Sequence, residues 1–168
     1  MRVLIAAASR HGTTAEMAEF LGAALRSRHV DAVVADAGAV EDVAAYDAVV
    51  IGSGVYVGHW LAPAKDLIRR CGHQLQTRPV WLFSSGPLGD PPKPIEEPVD
   101  VAHLVEMSGA RQHRIFAGCL NRALLGAAER TMVRVVKAPE GDFREWDALD
   151  AWAEEIAVAL LWAPVHAD

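Results

Sequence analysis

The sequence predicts a three-layer α/β fold, a doubly wound, five-stranded parallel sheet of order 2-1-3-4-5 with helices on both faces. Three observations predict it. Short apolar runs alternate with helix-length amphipathic stretches through the 168 residues, as expected of a parallel sheet built from βα units. Five of the runs read as strands, the number which that order requires. The first run, Val3-Leu4-Ile5-Ala6-Ala7-Ala8, passes directly into Ser9-Arg10-His11-Gly12-Thr13-Thr14, a strand, a turn rich in hydroxyls and a helix start. With 52% hydrophobic and 23% charged residues, the chain can bury a core without cross-links and reads as one domain over residues 1–168.

Each element follows from its pattern. Residues 3–7 form a buried strand. Residues 14–27 form a helix that turns Met17, Ala18, Leu21, Ala24 and Leu25 inward at helical spacing. Residues 30–35 alternate and suit a strand near an edge, and residues 48–52 make the third strand. A loop over 52–58 leads to a helix over 59–70, with Pro63 tolerated in its first turn. Residues 80–84 are the fourth strand, and Trp81 there is a core residue. Residues 87–98 hold too many prolines for regular structure. A short helix over 100–108 takes Asp100 as its N-cap, and residues 114–119 are the fifth strand. Residues 124–136 and 145–162 complete the chain as helices, the last turning Trp146 and Trp152 to the core or an interface.

Charge and composition exclude several functions. A net charge of −6 lacks the basic face that nucleic-acid binding needs, and it suits a basic redox protein as partner. Cys71 and Cys119 make no paired motif, which points to a reducing, cytoplasmic setting. The opening apolar run is too short for a leader and is followed by charge, so it is read as a strand. No apolar run approaches the roughly 20 residues that span a bilayer, which leaves at most peripheral membrane contact. The segment 121–137 interleaves apolar residues with Arg122, Arg130, Arg134 and Lys137. It is either a helix on an anionic membrane surface or a helix crossing back onto the sheet with its arginines in water.

In a sheet of this order, ligands sit outside the carboxyl ends of the strands, at the switch between strands 1 and 3. The segments after strands 1, 3 and 4 converge there. In the first, backbone N–H groups and hydroxyls at a helix start suit a phosphate monoester. Arg10 adds charge, and His11 is either a phosphate neighbour or a polar loop residue. Other motifs fail on spacing. Gly52-Ser53-Gly54 with Gly58 follows the third strand and makes no dinucleotide fingerprint. Ser84-Ser85-Gly86 lacks the first glycine of a nucleophile elbow. Cys71-Gly72-His73 has no partner pair for a metal and reads as a helix end stopped by glycine. Ala8 and Ser53 stand where a phosphoacceptor receiver needs acids.

Ser9, Gly12 and Thr14, followed by Ala18 and Leu21, resemble the phosphate-loop pattern of the flavodoxin family. Ala6 and Ala7 depart from it, since the family carries larger residues there. Within that family the run Ile51-Gly52-Ser53-Gly54-Val55-Tyr56-Val57-Gly58-His59-Trp60 is most similar to the quinone-linked protoporphyrinogen oxidases. The resemblance extends to about residue 161. It implies riboflavin phosphate (FMN) as cofactor. Ser9, Arg10, His11, Gly12, Thr13 and Thr14 would cradle the phosphate. Ser53, Gly54, Val55, Tyr56, Val57 and Gly58, with Ser84, Ser85, Gly86, Pro87, Leu88 and Gly89, would hold the ring.

Electron-carrier flavodoxins place an aromatic residue on each ring face. This chain offers Tyr56 and Trp60 on the second segment and none over 84–89. One face is then open to a flat substrate such as a quinone or a porphyrin precursor, unless Pro87 or Leu88 covers it. His59 is a candidate for moving protons beside the ring, or a helix residue packed by Trp60. The resulting expectation is a flavin-dependent oxidoreductase of the quinone-linked dehydrogenase type. Two alternatives stand beside it: a one-electron carrier docking on protein partners, and a reductase using the deazaflavin F420, whose acidic tail Arg10 and His11 would accommodate.

Overall fold

The computed structural model describes residues 1–89 and 96–162. The elements are β1 (Arg2–Ala8), α1 (Thr13–Ser27), β2 (Asp31–Asp36), β3 (Ala48–Tyr56), β4 (His59–Trp60), α2 (Ala62–Leu75) and β5 (Val80–Ser85). Then come α3 (Val101–Ser108), β6 (Gln112–Phe116), β7 (Cys119–Leu120), α4 (Ala127–Val135), β8 (Gly141–Asp142) and α5 (Trp146–Leu161), with single 3-10 turns at Ala37–Ala39 and Arg122–Leu124. The main sheet runs β2-β1-β3-β5-β6, all parallel. This is the predicted 2-1-3-4-5 order.

Alternation along β1 builds two cores. Val3, Ile5 and Ala7 face α1 and α5, where Met17, Leu21, Leu25, Trp152 and Ile156 complete one apolar layer. Leu4, Ala6 and Ala8 face the other way, onto Ala64, Leu67 and Ile68 of α2 and Leu104 of α3. Successive strand residues point to opposite faces, so a strand apolar throughout must be covered on both. Trp81 and Trp152 are buried as expected, and Trp152 donates its indole N–H to Gln112. Trp146 is half-buried against Phe20.

The structure departs from the sequence expectation at five places. The helix expected from residue 59 begins at Ala62, because His59 and Trp60 instead pair back antiparallel onto Tyr56 and Val55. The glycine stop expected at Gly72 is absent. α2 continues to Leu75, and Gly72 serves a close approach to α3, where a side chain would meet the Met107 carbonyl at 3.4 Å. Asp100 holds the N-cap position of α3, but its carboxylate bonds elsewhere. The fifth strand spans Gln112–Phe116, and Cys119–Leu120 leaves the sheet to pair with Gly141–Asp142. Finally, α4 does not cross back onto the sheet: none of its residues is buried, and Leu124, Met132, Val135 and Val136 are exposed. Of the proline-rich segment, residues 90–95 lie outside the described part. No helix among the described residues is long and apolar enough to cross a membrane.

Candidate functional site

The carboxyl ends of β1, β3 and β5 lie side by side in the sheet, so the three segments named from sequence meet at one edge. The first is set by Gly12, whose φ of 91° is left-handed and open to glycine at no steric cost. Its N–H donates to Ser9 Oγ at 3.1 Å. Gly12 offers no side-chain acceptor to α1, so the first-turn N–H groups behind it are free for an anion. Thr14 is buried, and its Oγ1 lies 3.3 Å from where a side chain on Gly54 would begin. A larger residue at Gly54 would have to displace the Thr14 side chain where the first and second segments touch. Thr13 Oγ1 approaches the Cys119 carbonyl at 3.5 Å.

The second segment is not the loop expected from sequence. β3 continues through Ser53, Gly54 and Val55 to Tyr56, turns at Val57 and Gly58, and returns as β4. Both turn residues have positive φ, 50° at Val57 and 77° at Gly58, as a tight two-residue hairpin demands. Glycine suits this conformation; a β-branched valine is strained in it, and Val57 is 73% exposed at the tip.

Bonds from outside hold this hairpin. Ser53 Oγ accepts the Leu61 N–H at 2.9 Å and donates to the Gly54 carbonyl at 2.8 Å. The Val99 N–H donates to the Gly58 carbonyl at 2.9 Å. Asp100 Oδ2 accepts the Trp60 N–H at 2.9 Å and lies 3.2 Å from His59 Nδ1 and 3.4 Å from Lys65 Nζ. Burial pushes the Asp100 carboxyl up, but the Trp60 N–H, His59 and Lys65 together bring it below the ordinary carboxylate value. His59, the candidate proton carrier, is tied to Asp100 at the exposed side of β4.

Trp60 is 2% exposed and donates its indole N–H to Ser84 Oγ at 2.7 Å. It is a buried brace between hairpin and sheet, not the ring-stacking residue anticipated from sequence. Ser84 and Ser85 are likewise buried within β5 and lie beneath the site. Ser84 Oγ also meets His113 Nε2 at 2.8 Å, and His113 Nδ1 meets Glu97 Oε1 at 3.0 Å. The Glu97 carboxylate can only accept, so Nδ1 carries the proton of the neutral ring; Nε2 then accepts from the Ser84 hydroxyl, which itself accepts the indole N–H. The series has the order of an acyl-transfer triad, but Ser84 has no exposed surface, so it braces rather than attacks. Burial holds the His113 pKa below the ordinary histidine value, against the opposing pull of Glu97.

The third segment continues as Gly86, Pro87, Leu88 and Gly89. A side chain on Gly86 would press on Val55 at 3.2 Å, and one on Gly118 would press on Gly86 at 3.4 Å. The Gly86 N–H donates to the Phe116 carbonyl at 3.3 Å, and the Gly118 N–H to the Pro87 carbonyl at 2.8 Å. Gly89 has a φ of 91°. Tyr56 is therefore the one aromatic residue of these segments that is not buried.

Tyr56 carries Arg10 over its ring at 5.0 Å and His11 at a centroid distance of 6.3 Å. Both side chains meet Glu129 Oε1 from α4, Arg10 Nε at 3.1 Å and His11 Nε2 at 3.2 Å. Glu129 Oε2 accepts the Gly126 N–H at 2.9 Å. That bond, then His11 and Arg10, holds the Glu129 carboxyl below its ordinary value. Burial, with the Glu129 charge nearby, pushes the Tyr56 hydroxyl up, partly offset by Arg10.

The residues present fit a flavin phosphate. Uncapped N–H groups stand at the α1 start, and Gly54 and Gly86 let the three segments pack closely around it, since a Cβ on either would meet Thr14 or Val55 at 3.3 and 3.2 Å. Sequence reasoning missed Asp100 as hairpin anchor, and it missed Glu97, His113 and Glu129. Each acts across at least 16 residues of chain, so no local spacing reveals it. The isolated acidic residue at the N3 position of α4 was the only signal for Glu129.

A flavodoxin-domain model matches residues 4–147. The protoporphyrinogen IX dehydrogenase [quinone] of Escherichia coli K12 is 24% identical over 172 aligned residues, covering 94% of this chain and 95% of that protein. Among solved structures, a flavodoxin from the domain Archaea superposes with a TM-score of 0.63 at 16% identity, covering 96% of this chain and 99% of the other. A cysteine variant of the Pseudomonas aeruginosa flavodoxin gives 0.62 at 17% identity, covering 96% and 99%. With a family match over most of its length and a sheet in the same strand order, this chain belongs to the flavodoxin domain family.

Proposed function

We propose that this flavin-binding oxidoreductase uses FMN to take two electrons from a porphyrinogen-like donor and deliver them to a quinone. The observation that supports the reading is the scarcity of aromatic side chains that could cover a bound ring. Trp60 is buried away from the site, the 86–89 turn has no aromatic residue, and Tyr56 alone is left to stack. A carrier covers its flavin, whereas an enzyme that works on flat substrates must leave one face accessible. The likeness to the E. coli dehydrogenase supports the same direction.

FMN, when bound, supplies reversible acceptance of a hydride or of single electrons. The chain's own residues would do the rest. The N–H groups at the start of α1 bind the phosphate, with Ser9 holding the Gly12 turn. Gly54 and Gly86 admit the ring's polar edge to the backbone. Asp100 and the buried Trp60–Ser84 bond keep the hairpin at a fixed height above the sheet. Approach of a lipid-soluble quinone is supported by α4, where Met132, Val135 and Val136 are exposed beside Arg130 and Arg134.

Anaerobic reduction of the FMN-loaded protein, followed by mixing with a soluble quinone, tests the reading. Reoxidation of the flavin in one two-electron phase is the expected result. When protoporphyrinogen and quinone are supplied together, porphyrin fluorescence should appear with about three quinones reduced per porphyrin formed, since the full oxidation removes six electrons in three turnovers. Two resolved one-electron steps without porphyrin formation would establish a carrier instead.

A further inference from the structure

Resting on the porphyrinogen reading above, we propose that Arg10 and His11, backed by the Tyr56 ring, form a subsite for a carboxylate arm of the flat substrate, and that Glu129 fills it in the unliganded chain. The Arg10 guanidinium and a ring nitrogen of His11 converge on a single oxygen, Glu129 Oε1, at 3.1 and 3.2 Å. The arginine lies over the ring of the half-buried Tyr56, which shields one side of the ion pair. This is the donor set that a carboxylate requires.

The occupant is built to leave. Glu129 Oε2 receives the Gly126 N–H, so α4 keeps its own cap when Oε1 is displaced. No residue of α4 is buried, so the helix can shift without opening a cavity in the core. The Arg10–His11 pair also stands at the right place. Arg10 and His11 belong to the phosphate segment and Tyr56 to the ring segment, so a carboxylate held between them lies beside the flavin's expected position. Backbone N–H groups at the α1 start serve the cofactor's phosphate, and the Arg10 and His11 side chains make no hydrogen bond to that segment among the described residues. They are available to a second anion.

The test titrates cofactor-loaded protein with protoporphyrin, which carries two carboxylates, and with its dimethyl ester, which carries none, reading quenching of porphyrin fluorescence. Arg10→Gln is expected to weaken protoporphyrin binding about tenfold and to leave the ester unchanged, while Arg10→Lys restores part of the loss. Glu129→Gln keeps the α4 cap but gives up its charge, and should tighten protoporphyrin by about threefold or more. Equal binding of acid and ester, unmoved by either variant, would overturn the subsite and leave the substrate reading standing. No binding of either compound would overturn both. If Arg10→Gln weakens only the cofactor, Arg10 serves the cofactor, through its phosphate or a deazaflavin tail, and the substrate assignment is overturned.

Discussion

Replacing Asp100 tests whether the hairpin is held from outside. Its Oδ2 accepts the Trp60 N–H and faces His59 and Lys65. Asp100→Ala leaves the Trp60 N–H without an acceptor in a residue only 2% exposed, which costs about 1–3 kcal/mol. Lys65 and His59 lose a partly exposed anion, worth up to about 1 kcal/mol more. A total of about 1–4 kcal/mol lowers the melting temperature by roughly 2–16 °C in a domain of this size. Asp100→Asn retains an acceptor for Trp60, so it should cost about 1 kcal/mol, or roughly 2–4 °C.

The assay pairs thermal unfolding with flavin titration. With β4 as one side of the proposed ring site, Asp100→Ala should also weaken FMN about tenfold, while Asp100→Asn keeps most of the affinity. The pH dependence carries a sign. The folded carboxyl lies below its unfolded value of 3.8, so its contribution is present above that value and is lost as pH falls through the folded one. The gap between wild type and Asp100→Asn must therefore close below about pH 4. If Asp100→Ala melts within about 1 °C of wild type with unchanged flavin affinity, the hairpin stands without its anchor and the reasoning fails.

Four further outcomes follow. Gly52→Ala would place a Cβ 2.1 Å from the Phe83 ring, which is fully buried against Phe116 and Trp152; calorimetry should show a loss of about 2–3 kcal/mol, and Phe83→Leu should recover part of it. In His113→Gln the stability slope on the acid side should flatten, since a histidine kept neutral by burial contributes fully above its unfolded value of 6.5 and less as pH falls below it; denaturant midpoints between about pH 5 and 7 check this. Gly12→Asp sets a side chain at a φ of 91° and a carboxylate at the α1 start, so FMN affinity measured by flavin fluorescence should fall about tenfold or more. Vesicles rich in anionic lipid should sediment the protein through α4, and Arg130→Glu with Arg134→Glu should abolish the sedimentation that neutral vesicles never give.

The sheet was legible because its strands are buried on both faces. Val3 to Ala8 must be covered above and below, and that demand shows in a continuous apolar run whatever the partners are. The first segment was legible for a related reason: Ser9, Gly12 and the Thr13 helix start act within a few residues of one another. The hairpin was not. Its β4 is two residues long and carries no strand pattern, and Val57 opposes its turn conformation, so local propensity there points away from the structure. The expected helix start at His59 failed for the same reason, since Asp100 takes the Trp60 N–H that a helix would have left for water.

α4 shows how a helix can be legible in kind and illegible in place. Its spacing gives a helix with basic residues along one side, as Arg130 and Arg134 are four apart. Amphipathic spacing shows that a face is apolar without saying what covers it. Both sequence readings, membrane and sheet, required that face to decide the packing. In the structure a single carboxylate decides it: Glu129 points to Arg10 and His11, and the apolar side is left exposed. A helix held mainly through an ion pair to the cofactor's own binding segment is held in proportion to the charge there. A phosphorylated cofactor at the α1 start, as proposed above, would bring a second anion into competition with Glu129 for Arg10. On that reading the position of α4 and the state of the site would be linked in both directions, as any coupling of two anions through one cation requires.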